Sequence, residues 1–153
     1  MNLKLNNQVK KHLEKADVDF KDNEECFTFF VKSKIGSVVM CIDIDEVERC
    51  LFIQALTMLD IESKNLSKHY ELTNKINQDL SASLLNVDEE HELIGAYVNL
   101  VFINELDEEA LEKAIGLCSD TLASFFPAYM MINASEVSVS EAIAVVNGNV
   151  GEA

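Results

Sequence analysis

The chain has 153 residues, 27 acidic against 12 basic, for a formal charge of −15. That length suits one domain burying roughly 70% of its unfolded surface, which needs no disulfide or metal staple. The negative balance argues against nucleic acid and anionic membrane surfaces as partners, and 48% hydrophobic residues with one proline argue against disorder.

In chain order, Leu5, Val9 and Leu13 recur at helical spacing and predict a helix over about Asn2 to Ala16. The segment Met1 to Lys15 lacks the apolar core of a secretory leader. Asp17 to Glu25 reads as a polar connection containing Phe20. Three strand-like segments follow, at Cys26–Val31, Ser37–Ile44 and Arg49–Leu56. Alternate residues of a strand point to opposite faces. In the first segment Phe27, Phe29 and Val31 oppose Cys26, Thr28 and Phe30. In the second, Val39 and Cys41 oppose Val38, Met40, Ile42 and Ile44, and in the third Cys50, Phe52 and Leu56 oppose Leu51, Ile53 and Ala55. Both faces are apolar, whereas a sheet with one wet face should alternate cleanly. Each face therefore calls for a cover, from the chain's own helices, a second copy or a partner. Ser33 to Gly36 supplies the first turn, with Gly36 free to take positive φ, and Asp43 to Glu48 the second, with its acids in water.

A second helix is expected over Asn65 to Gln78, with Leu66, Tyr70 and Asn77 on one stripe and Leu72 and Ile76 beside it. Leu80 to Val87 fits either a strand or a continuation of that helix; the acidic turn Asp88-Glu89-Glu90-His91 and the strand pattern of Leu93 to Ile103 favour a hairpin. Asp107 is a good N-cap, with Glu108 and Glu109 where a helix dipole favours negative charge. Leu111, Ala114, Ile115, Cys118, Leu122 and Phe125 form the apolar face of this helix, which Pro127 should end or bend. Ser138 and Glu141 would cap a short final helix, with Ala142, Ile143, Val145 and Val146 on its apolar face and Gly148 as its stop.

The expected fold is α+β, a curved antiparallel five-stranded sheet in the order α-β-β-β-α-β-β-α plus a C-terminal helix. The domain spans 1–132 and a C-terminal extension 133–153. Helices one and three would cover one face of the sheet, with helix two and the C-terminal segment on the other.

Few residues suggest chemistry. Cys26, Cys41, Cys50 and Cys118 show no Cys-x-x-Cys pair and read as buried, reduced thiols of a cytoplasmic protein. His12, His69 and His91 share no metal-ligand spacing and read as surface residues. The acidic group Asp43 to Glu48 lacks the glycine and the distal glutamate of a calcium loop. No nucleophile elbow, dinucleotide fingerprint or phosphate loop occurs. No segment reaches the roughly 18 apolar residues of a membrane span. We therefore expect no catalytic or metal residue, no cofactor and no enzyme activity.

Several segments of the second half carry a resemblance: Leu72, Asn74, Ile76 and Asn77, the strand Ser83 to Val87, the acidic turn Asp88 to Glu90, the strand Tyr97 to Ile103, and the helix opening Leu106 to Leu111. Across about Leu5 to Tyr129 this pattern resembles the YbjN family and the wider group of type III secretion chaperone-like domains. The resemblance implies helices packed on a curved antiparallel sheet, in a small, acidic, cytoplasmic bacterial homodimer that holds an extended protein or peptide segment and uses no nucleotide. A chaperone-like protein-binding module is thus the leading expectation, and a regulatory or structural protein without a client groove is the alternative. Phe27, Phe29, Val39 and Phe52, taken to share one side of the first hairpin, are the expected partner or dimer contacts.

Overall fold

A computed structural model describes residues 4–24 and 26–150, with side chains through 147. Its elements are α1 (Leu5–Lys15), β1 (Phe20–Asp22), β2 (Cys26–Ser33), β3 (Gly36–Asp45), β4 (Cys50–Met58), α2 (Leu66–Asp79), β5 (Leu84–Asp88), β6 (Leu93–Val101), α3 (Glu108–Ala134) and α4 (Val139–Val150). The six strands form one antiparallel sheet in the order β1-β2-β3-β4-β6-β5. The α+β class holds, with six strands in place of the expected five. The extra strand is β1, whose three residues fall inside what the sequence suggests is a polar connection. Phe20 anchors it by setting its ring edge-on to Phe27, centroids 5.5 Å apart.

The first hairpin closes on Lys34 and Ile35, with Gly36 at φ 104°. The second turn is shorter than expected, because Asp43 and Ile44 belong to β3 and only Asp45 organises the turn, its Oδ1 accepting from the Val47 and Glu48 amides at 2.9 Å. Residues 80–87 resolve into an extended connection followed by β5. Expected helix boundaries for α1 and α2 agree within a few residues, Asn2 lying outside the described residues.

All four helices lie on one face of the sheet. The inward rows Phe27 and Phe29, Val38, Met40 and Ile42, Leu51, Ile53 and Ala55, Leu85 and Val87, and Ile94 and Ala96 are all buried. Leu5, Val9 and Leu13 of α1, Leu72 and Ile76 of α2, Leu111 and Leu122 of α3, and Ala142 and Val146 of α4 join the same core. Polar bonds tie the helices to each other. Glu112 of α3 meets His12 of α1 at 2.8 Å, Asn133 of α3 meets His69 of α2 at 2.8 Å, and Lys68 of α2 donates to the Val137 carbonyl just before α4. The expected placement of helix two and the C-terminal segment on the opposite face is therefore corrected: they pack beside α3.

Two helix starts follow their sequence signals. Asp107 Oδ1 accepts from the Ala110 amide at 3.0 Å. Ser138 and Glu141 form a reciprocal capping box, the Ser138 amide donating to Glu141 at 2.7 Å and the Glu141 amide to Ser138 Oγ at 3.1 Å. The stops do not follow. α3 runs seven residues beyond Pro127, to Ala134, and α4 continues past Gly148. Pro127 removes one backbone bond, but Ala128, Tyr129 and Ile132 beyond it are buried and hold the helix to the core. α3 is also long and apolar enough by composition to cross a membrane, with a mean hydropathy of 1.3 over its most apolar window, which corrects the expectation of no such segment. Its inner stripe is packed on the sheet.

Candidate functional site: the open face of the sheet

Because every helix sits on one side, the outward residues of the sheet have no cover within the described chain. The register arranges them in rows. Phe30 stands opposite Val39, which pairs with Leu56, which pairs with Gly95. The next row runs Thr28, Cys41, Gln54, Tyr97 and Leu84, and the third Cys26, Asp43, Phe52 and Asn99. Phe30 is 73% exposed and Val101, at the far edge, 70% exposed. Polar Thr28, Gln54 and Asn99 are interspersed, so the face is amphipathic rather than oily.

Two contacts give this face its relief. The rings of Phe52 and Tyr97 lie 5.2 Å apart across β4 and β6. Leu56 folds over Gly95, where an added Cβ would come within 2.7 Å of its Cδ2. Glycine here leaves the space that the leucine side chain takes from the neighbouring strand. Beside Phe52, a shallow depression of 360 Å³ is lined by Asp43, Asp45 and Cys50.

The four expected contact residues divide. Val39 and Phe52 lie on the open face, half-buried by their neighbours. Phe27 and Phe29 point the other way, paired with Ile42 and Met40, and are 0% and 5% exposed in the core. The reason is the turn: a two-residue connection pairs Ser33 with Gly36, so odd positions of β2 share a face with even positions of β3. Phe30, Leu56 and Tyr97 take the places that Phe27 and Phe29 were expected to fill.

The cysteines also differ from expectation. Only Cys118 is fully buried; Cys26, Cys41 and Cys50 are half-buried on the open face, and all four are free thiols. Burial, assisted by the nearby Asp43 carboxylate, pushes the Cys26 thiol up to about 11, and the same two causes raise Cys41. Burial pushes Cys118 up to about 12. These groups are protonated thiols at neutral pH, not the thiolates that attack substrates or bind metal. Among the described residues no group of three or more His, Cys, Asp or Glu side chains is placed to hold a metal ion.

Two of the three histidines are structural, correcting the surface assignment. His12 is 7% exposed and sits between Glu112 and Glu108. His69 is fully buried, bonded through Nε2 to Asn133 and stacked on Tyr129 at 5.7 Å, while its Nδ1 has no hydrogen-bond partner among the described residues. Burial lowers its pKa. His91 is exposed and pairs with Asp88 at 2.8 Å.

No family model matches the chain, and no curated protein matches it by sequence. Solved structures do resemble it. YbjN from E. coli, proposed as a transcription regulator, superposes with a TM-score of 0.57 at 9% identity, over 76% of this chain and 84% of that one. A chain of the HopA1–SchA chaperone–effector complex superposes with a TM-score of 0.48 at 12% identity, over 72% and 83% of the two chains. The likeness to YbjN, at this identity, is one of overall fold.

Proposed function

We propose that this chain is a non-enzymatic, chaperone-like binding module that holds an apolar segment of a partner polypeptide against the open face of its sheet. The observation that carries this reading is the one-sided helix layer, which leaves Phe30, Val39, Phe52, Leu56 and Tyr97 together on a face without cover. Apolar area buried there would contribute about 25 cal/mol per Å², and Thr28, Gln54 and Asn99 supply hydrogen bonds to a bound backbone.

Phe52→Asp places a charge on this face without entering the core, so the variant should keep its circular dichroism spectrum. Affinity capture from the native host with wild type and variant side by side should recover a partner with the first and lose it with the second. Unchanged recovery by a folded Phe52→Asp protein would sink the reading. The same face would seat a second copy in the expected homodimer. Light scattering separates the two occupants, because a dimer dissociated by Phe52→Asp assigns the face to self-association.

A further inference from the structure

At the end of β4 a groove of 510 Å³ lies between the strand and the C-terminal half of α3. Met58, Leu59, Phe126 and Met130 give it an apolar lining. Leu59 is buried, whereas Met58 is 74% and Met130 45% exposed. Two exposed methionines thus line one groove. Their flexible, polarisable side chains suit a pocket that adapts to an apolar anchor.

The rim supplies the second half of the recognition. Asp60 and Glu92 border the groove on the strand side. The Leu59 amide donates to the Glu92 carbonyl at 2.9 Å, which fixes the two rim segments together. Neither carboxylate has an ion-pair partner among the described residues, whereas Glu62, also on the rim, is engaged by Lys64 at 2.9 Å. No Lys, Arg or His lines the groove. An acidic partner would be repelled, and a second copy of this chain would bring another formal charge of −15.

Resting on the proposed binding role of the open face, we infer that this groove is a second anchoring site, which takes a bulky apolar side chain flanked by Lys or Arg on the same partner segment. Met58 belongs to both surfaces. It ends the outward row of β4 and lines the groove, so a segment lying along β4 would meet the groove at this residue. The apolar anchor would fill the space between Met58 and Met130, and its basic neighbours would meet Asp60 and Glu92. The partner is therefore a cationic amphipathic peptide segment.

A short synthetic Leu/Lys peptide is the probe, with a Leu/Glu analogue and oligolysine as controls, added to the full chain labelled with ¹³C at its methionine methyls. The Leu/Lys peptide should move the Met58 and Met130 signals and spare Met40, which is fully buried. Met130→Ser should weaken binding roughly tenfold by removing apolar contact. The pair Asp60→Asn and Glu92→Gln should weaken it and flatten its salt dependence. Met58→Ser, on a side chain more exposed than Met130, provides the same test if Met130→Ser fails to fold. Equal binding of oligolysine, or unchanged affinity in the methionine variants, would overturn the groove. Loss of binding in Phe52→Asp with no effect of Met130→Ser would retain the open face and discard the groove. The reverse result would retain the groove alone.

Discussion

Phenylalanine 27 and phenylalanine 52 have the same side chain and lie in neighbouring parts of one sheet, yet the pleat gives them opposite environments. Phe27 is sealed between the sheet and the helix layer, against Phe20 on one flank and the inward rows of β3 on the other. Phe52 rests on the open side, held chiefly by Tyr97. Truncating the first removes a ring and leaves a cavity; truncating the second removes a ring from a surface. Phe27→Ala should therefore cost about 3–5 kcal/mol, and Phe52→Ala about 0.5–1.5 kcal/mol, the worth of an aromatic pair beyond its area. Urea unfolding of the two variants measures this. Comparable losses would mean that the second face is also packed, contrary to the register. A core phenylalanine is consequently a poor probe of partner binding, because Phe27 or Phe29 variants lose the fold first. Phe52 separates the two effects.

At the scale of elements, the two edges of the sheet are managed differently. On one side, β5 is closed by a single side chain of α2. The Asn77 amide donates to the Leu85 carbonyl at 2.9 Å, and its Oδ1 accepts from the Leu85 amide at 2.8 Å, so it occupies the place of a further strand. Edge strands left open invite pairing with other chains. Asn77→Ala should cost about 1–3 kcal/mol, the penalty of orphaning buried polar groups, and should increase aggregation on concentration. Asn77→Asp keeps the acceptor and loses the donor, so it should fall between the two. An alanine variant as stable and monodisperse as wild type would count against a closed edge. On the other side, β1 reaches only Phe27 to Phe29 of β2 and leaves residues 30–33 beyond its pairing. Much of this arrangement was legible in the sequence. Period-two patterns placed β2, β3 and β4 and sorted their faces correctly, and the Asp107 cap and the Ser138–Glu141 box placed two helix starts. The pairing of faces between strands was misread: Phe27 and Phe29 were set beside Val39, whereas the two-residue turn Lys34-Ile35 sets the parity that puts Phe30 there. Other features depend on tertiary contact and leave little local trace. β1 is three residues long and is held by Phe20. α3 passes Pro127 because residues beyond it are buried. Likewise His69 replaces Tyr70 on the inner stripe of α2, because Tyr129 and Asn133 of α3 receive its ring. The Met58–Met130 groove joins residues far apart in the chain and had no signal at all.

For the whole molecule, one-sided layering packs helix on helix, and a buried histidine between two of them gives acid a place to act. His69 lies where α2 packs on α3, with Asn133, Tyr129 and Thr73 around it. The Tyr129 hydroxyl bonds to Thr73, Asn133 also donates to the Asp60 carbonyl, and among the described residues no charged partner meets the ring. Burial lowers the His69 pKa below its ordinary 6.5. The folded protein thus binds fewer protons at this site than the unfolded chain once pH falls below about 6.5. Its contribution is complete above that value and is lost as pH falls toward the folded pKa. His91 works in the opposite sense, because Asp88 raises its pKa, but it is exposed and contributes little. The depressed carboxylates of Asp22, Asp88, Glu108 and Glu141 lose their contributions only as pH falls below their ordinary 3.8 to 4.5. Between about pH 5 and 6.5 the buried His69 therefore loses its contribution, set against the relief of self-repulsion as the net charge of −15 diminishes. Comparing wild type with His69→Gln cancels that shared background. The variant should be less stable than wild type at pH 7.5, having lost the stacked ring, and the difference should shrink as pH is lowered to 5. A gap that stays constant across this window would mean that His69 is not the group titrating between α2 and α3.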